Sequence, residues 1–230
     1  MKKQHSKHVL LVLTVWLWLF IGLIFTVLLI AYVKGVLLNL EQLISMLNRE
    51  PYLASYGEVV GVGGLPLLIS LIRRDSPEMY GLRRQGLLKS LALSILPAIA
   101  ILVARIAYND LSFEGFGLSF PYNVWYAVLG VLAYGPLEVF FVVWLIVNTD
   151  NILNTLEKTV SPGLLITVLI FGLSHIFLSP QGGLLNAIKV TIIFMALGLI
   201  FKYTKNSIGP MIAWTLINGQ VSHLLIGCLT

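Results

Sequence analysis

Between His8 and Lys34 the chain carries no charged side chain and is apolar almost throughout. A helix needs roughly 20 largely apolar residues to cross the hydrocarbon core of a bilayer. Within that core only helices and closed barrels satisfy their own backbone polar groups. The run therefore dictates a membrane helix before any other residue is considered. Composition points the same way, with 58% hydrophobic and 11% charged residues against about 25% charged in soluble domains. Lys2, Lys3 and Lys7 precede the run like the start of a secretory signal. The apolar stretch is too long for one and lacks a small-residue cleavage site, so it is expected to persist as the first helix. Cys228 is the only cysteine, which excludes an intrachain disulfide and a cysteine metal cluster.

Seven spans are expected in an all-α, polytopic membrane protein: Val9–Val33, Tyr56–Ile72, Gly86–Tyr108, Tyr122–Val147, Ser161–Leu178, Leu184–Lys202 and Ser207–Leu229. The second carries Gly61, Gly63, Gly64 and Pro66 and reads as a broken or re-entrant segment. Between the first two spans, the stretch from Gly35 to Glu50 has apolar residues at helical spacing with polar ones opposite, the pattern of an amphipathic helix lying at the interface. No repeat or composition shift divides the chain, so residues 1–230 are read as a single membrane domain.

The net charge of +5 sits in short loops, which makes it topology information and leaves no role for nucleic acid. Arg73, Arg74, Arg83, Arg84 and Lys89 cluster after the second span, Lys158 follows the fourth, and Lys202 and Lys205 close the sixth. Asp110 and Glu114 lie in the loop after the third span, which has no basic residue. These counts predict a cytoplasmic N-terminus and an outside C-terminus, with Lys34 and Arg49 as exceptions. Tyr122, Trp125 and Tyr126 would form an interfacial aromatic belt where the fourth span enters from outside.

Few ionisable residues lie inside the spans. Arg105 and Lys189 lie near span ends and can snorkel to the interface. His223 is read as a helix-packing histidine. Glu138 and His175 are near no end. A carboxylate in the membrane costs at least a few kcal/mol, whereas an interhelical polar contact typically contributes about 1 kcal/mol. Transport and hydrolysis both remain open on residue chemistry alone. Phe171 and His175 share a helix face, as do Trp214, Asn218 and Ser222. A carboxylate, a histidine and a carboxamide on three helices could supply a general base for water, an orienting partner and an oxyanion donor. One histidine and one carboxylate are too few ligands for a metal, and no cofactor is called for. The span boundaries put Glu138 toward the cytoplasmic half and His175 toward the outer half, a mismatch that a kink at Pro136 would reduce.

In order along the chain, "PLEVFFVV", "FGLSH" and "IGPMIAWTLIN" resemble the motifs EExxxR, FxxxH and HxxxN of the CPBP intramembrane proteases, also called the type II CAAX prenyl endopeptidase or abortive-infection family. The resemblance runs from Val124 to Leu225. It implies a glutamate-dependent intramembrane endopeptidase, with Glu138, His175 and Asn218 catalytic and Phe171 and Trp214 in contact with substrate. Implied partners are membrane lipid and a membrane-associated protein or peptide, prenylated in some family members. The sequence departs from the pattern in three places: Val139 stands for the second glutamate, Val143 for the arginine and Trp214 for the histidine. Either the chemistry runs on a reduced set, or the chain is an inactive relative acting as a scaffold, immunity or regulatory protein. A small proton-coupled transporter is the remaining alternative, without the repeats such folds usually show.

Overall fold

The computed structural model describes residues 2–36, 39–107, 118–178 and 183–229. Among these residues every regular element is helical. The principal helices are α1 (Lys2–Val33), α2 (Leu40–Arg49), α3 (Ala54–Arg73), α4 (Leu87–Ala107), α5 (Tyr122–Leu153), α6 (Pro162–Leu178), α7 (Gly183–Thr204), α8 (Ile208–Ile217) and α9 (Gly219–Leu229). Five of them, α1, α3, α4, α5 and α7, are long and apolar enough to cross a membrane. The loop carrying Asp110 and Glu114, and the side chains of His223 and Cys228, fall outside the described residues.

Two expectations are corrected. The second span is not broken, because Ala54–Arg73 runs as one helix. Its glycines instead open a wide, π-helical stretch at Glu58–Gly64. The last span is not one helix, because Asn218 takes an extended conformation (φ −67°, ψ 120°) between α8 and α9. The amphipathic helix is present as α2, with the Asn39 side chain accepting from the Gln42 N–H at 2.9 Å as an N-cap.

α5 is the central post. Every residue from Glu138 to Asn148 is buried, which accounts for a segment that is apolar on all sides. It has its own wide turn at Ala133–Leu137, containing Pro136. Proline supplies no N–H and crowds the preceding turn, so the helix widens there. The two wide turns pack on each other. A Cβ added at Gly63 would come within 2.5 Å of the Leu137 Cβ, and one at Gly61 within 2.6 Å of the Leu23 Cγ. Only glycine lets α3 approach both α5 and α1 so closely. The Trp18 indole donates to the Val60 carbonyl at 2.8 Å, occupying an acceptor in the widened turn.

At the other end of α5, Asp150 is fully buried. Its Oδ1 accepts from the Thr155 hydroxyl at 2.7 Å and the Gly163 N–H at 2.9 Å. Its Oδ2 accepts from the Ser161 hydroxyl and the Lys202 ammonium, each at 2.6 Å. Lys202 also donates to the Leu156 carbonyl at 2.8 Å. One carboxylate thus ties the ends of α5, α6 and α7. Glu138 and His175 stand equally far along their helices from Asp150 and Gly163, a rise of about 18 Å on each. The expected mismatch in level therefore does not arise.

At the α1–α2 corner, Lys34 and Tyr52 both donate to Glu50, at 2.6 and 2.8 Å. The aromatic residues at the start of α5 pack here too, with Tyr126 against Tyr52 (centroids 4.2 Å apart) and Trp125 donating to the Tyr56 hydroxyl at 3.1 Å.

Removing one partner of a buried ion pair leaves the other uncompensated and costs about 3–5 kcal/mol. Lys202→Met is expected to lower the unfolding free energy by about that amount, measured by denaturant titration in detergent micelles. At the α1–α2 corner, hydrogen bonding from Lys34, aided by Tyr52 against the opposing effect of burial, holds the Glu50 carboxyl below its usual range. A lowered folded value gives stability that is present above the unfolded carboxylate range and lost as pH falls through the folded value. Protease cleavage around α2 is therefore expected to stay constant from neutral pH to the top of the ordinary carboxylate range, to rise as pH falls from there to the lowered folded value, and to level off below it. Glu50→Gln abolishes that acid-dependent step.

Candidate active site

The wide turn at Ala133–Leu137 delivers Glu138 into the core, where its side chain is 6% exposed. Three helices converge on it. From α8, the Trp214 indole N–H donates to Oε2 at 2.7 Å. From the α8–α9 break, Asn218 Nδ2 donates to the same Oε2 at 3.3 Å and to the Tyr134 carbonyl at 2.9 Å. From α6, His175 Nε2 faces the other oxygen, Oε1, at 3.8 Å.

The break at Asn218 is what lets one amide do this. Its Oδ1 accepts from the Gln220 N–H at 2.9 Å, capping α9, while Nδ2 reaches back to α5. A backbone donor on one side and a backbone carbonyl on the other fix which way the amide points. Arg105 of α4 holds the break from outside, donating from Nη1 to the Ile217 carbonyl at 3.0 Å. Arg105 thus has a structural partner instead of simply snorkelling. Lys189 is exposed on α7.

His175 is oriented by its own helix. Its Nδ1 lies 2.9 Å from the Phe171 carbonyl, which can only accept, so Nδ1 carries the proton of the neutral ring. Phe171 packs on the imidazole edge-on at 4.9 Å and on Phe194 at the same distance, and Phe194 packs on Trp214 at 4.8 Å. These rings wall the polar group on the side of α7.

The structure thus brings Glu138, His175, Asn218, Trp214 and Phe171 together. Ser222 is not among the partners of Glu138; its hydroxyl donates to the Asn218 carbonyl at 3.4 Å. Val139 and Val143 are each 2% exposed and fill the apolar core. Among the described residues no group of three or more His, Cys, Asp or Glu side chains is arranged to hold a metal ion.

Sequence reasoning passes over one carboxyl. Glu58, in the wide turn of α3, lies within electrostatic reach of both Glu138 and Tyr134. The signal was a charged residue inside "YGEVVGVGG", masked by its nearness to the expected start of the span.

A family model described as Type II CAAX prenyl endopeptidase Rce1-like matches residues 91–219. The chain belongs to this family. The Rce1-like region begins well before Val124, taking in most of α4 with Arg105, and contains Glu138, His175, Trp214 and Asn218. It leaves out α1 to α3, and with them Glu58. No curated protein and no solved structure matches the chain.

Trp214 supplies the shorter of the two hydrogen bonds to Glu138, and a bond to a buried group of this kind is worth about 1–3 kcal/mol when one partner is removed. Trp214→Phe keeps the ring packed on Phe194 and deletes only the N–H. It is expected to lower the unfolding free energy by about that amount in detergent micelles, whereas Trp214→Phe in a Glu138→Leu background has a much smaller effect.

Proposed function

We propose that this Rce1-like protein is an intramembrane endopeptidase that hydrolyses peptide bonds of membrane-associated substrates, with prenylated C-terminal segments the first class to test. The observation that carries the reading is the pair Glu138 Oε1 and His175 Nε2, 3.8 Å apart. With the ring proton on Nδ1, both atoms are acceptors, and two acceptors facing each other need a shared donor. A water molecule that gives one proton toward each satisfies both and exposes its oxygen lone pairs for attack.

In this mechanism Glu138 is the general base. Trp214 and Asn218 hold its Oε2, leaving Oε1 to take the proton from water. His175 keeps the water in line. As the carbonyl oxygen gains charge, Asn218 turns its Nδ2 hydrogen from the longer contact with Glu138 to the oxyanion, while its bond to Tyr134 keeps it in place. Phe171 and Trp214 line the substrate side. The chain crosses the membrane seven times as one domain, with a cytoplasmic N-terminus and an outside C-terminus.

A second reading has its own support. Valines at 139 and 143 are core residues here, and Trp214 takes up the base with a fixed hydrogen bond. A non-catalytic relative that binds membrane proteins as a scaffold, immunity or regulatory factor would tolerate all three.

Cleavage of a farnesylated, internally quenched peptide by the purified full-length protein in liposomes separates the two. The endopeptidase reading expects Glu138→Gln and His175→Ala to lower kcat by on the order of 10²-fold or more, and Asn218→Ala by on the order of 10²-fold. Equal turnover by wild type and all three variants, or none above buffer for the wild type, sinks it.

A further inference from the structure

Glu58 does nothing visible for the fold. Among the described residues it makes no hydrogen bond and no ion pair, although it is half-buried at the start of the wide turn of α3. The other carboxyls deep in the molecule are employed. Asp150 accepts four donors, and Glu138 accepts two. A carboxyl without a cation or donor is tolerated inside a membrane as the neutral acid, and such residues mark function more often than packing.

Its place is well defined. The wide turn that carries Glu58 is pinned to α1 by the Trp18–Val60 hydrogen bond and by the close approach of Gly61 to Leu23. The same turn meets α5 where Gly63 abuts Leu137, the residue immediately before Glu138. Val59 packs in the same apolar cluster as Tyr134. Glu58 is therefore held against the segment Tyr134–Glu138, and its carboxyl is close enough to act electrostatically on both of those residues. From α1, the stretch Trp18–Thr26 brings no titratable group to the turn. The two carboxyls thus stand at contacting wide turns of two helices, one braced by N–H donors and one unbraced.

Peptide hydrolysis needs two proton transfers, and the endopeptidase reading, on which this inference rests, accounts for only the first. We propose that Glu58 is the second carboxyl group of the active site, the acid that protonates the departing amine. Water adds its oxygen to the carbonyl carbon and gives a proton to Glu138. The C–N bond then breaks, its electron pair stays on nitrogen, and that nitrogen takes the Glu58 proton. Passage of the proton from Glu138 to Glu58 restores both groups, so one water is consumed and one acid and one amine leave.

The test exploits leaving-group chemistry. An amide nitrogen must be protonated to leave, whereas p-nitrophenolate leaves unaided. The farnesylated peptide and a counterpart ending in a p-nitrophenyl ester at the scissile position are compared in liposomes for wild type, Glu58→Gln and Glu58→Asp. Glutamine copies the shape of the neutral acid, and the thermal unfolding midpoint checks that the variant is folded. Glu58→Gln is expected to lower kcat on the amide by on the order of 10²-fold with KM nearly unchanged. Ester hydrolysis by the same variant is expected to stay within about threefold of wild type, the scale of a step that needs no acid. Glu58→Asp is expected to recover part of the amide activity. Glu138→Gln should lose both activities. Equal loss on amide and ester in Glu58→Gln, or no loss on either, overturns the role of Glu58 and leaves the base intact. A wild type inactive on both substrates removes the endopeptidase reading, and this assignment with it.

Discussion

Asp150 is the fixed point of the molecule. A carboxylate with no exposed surface is stable in an apolar bundle only if its lone pairs are occupied and its charge is balanced. Here two hydroxyls, a backbone N–H and an ammonium do both. The donors come from the turn after α5, the start of α6 and the end of α7, so one charge sets the register of three helices. The Glu138–His175 pair lies about 18 Å away along the same rods. Glu138 and His175 face each other because α5 and α6 are measured from the same origin.

The membrane class, the helical architecture and the identity of the three polar residues around Glu138 were legible in the sequence, because each follows from strong local signals. An uncharged run announces a membrane helix, a lone glutamate within one announces a place to look, and three ordered motifs suggest which helices meet. The register was not legible. It depends on Asp150 and Lys202, which look like ordinary span-end charges in the sequence and are 0% and 4% exposed in the structure. The break at Asn218 was hidden as well. The run from Ser207 to Leu229 is apolar on both sides of it, and the extended backbone there is held by tertiary partners, Arg105 and Tyr134, that no local pattern encodes.

The glycines of α3 show how one local signal admits two physical outcomes. Gly61, Gly63 and Gly64 weaken a helix in isolation, which is why they read as a break. In the bundle the missing side chains are the reason α1, α3 and α5 touch at all, and tight packing returns more than the flexibility loses. The result is a widened turn instead of a re-entrant loop, and it carries Glu58. Pro136 has the same effect on α5, where the widening re-aims Glu138.

The two ends of the Asn218 amide serve different masters, since the oxygen starts α9 and the nitrogen holds α5. The carboxamide offers an acceptor and a donor on the same carbon without a titratable proton. Aspartate would keep the helix start and set a second negative group against Glu138, while alanine or leucine would lose both ends. Positions 139 and 143 each answer to a single demand, a volume. Position 218 answers to two at once, and none of these replacements meets both.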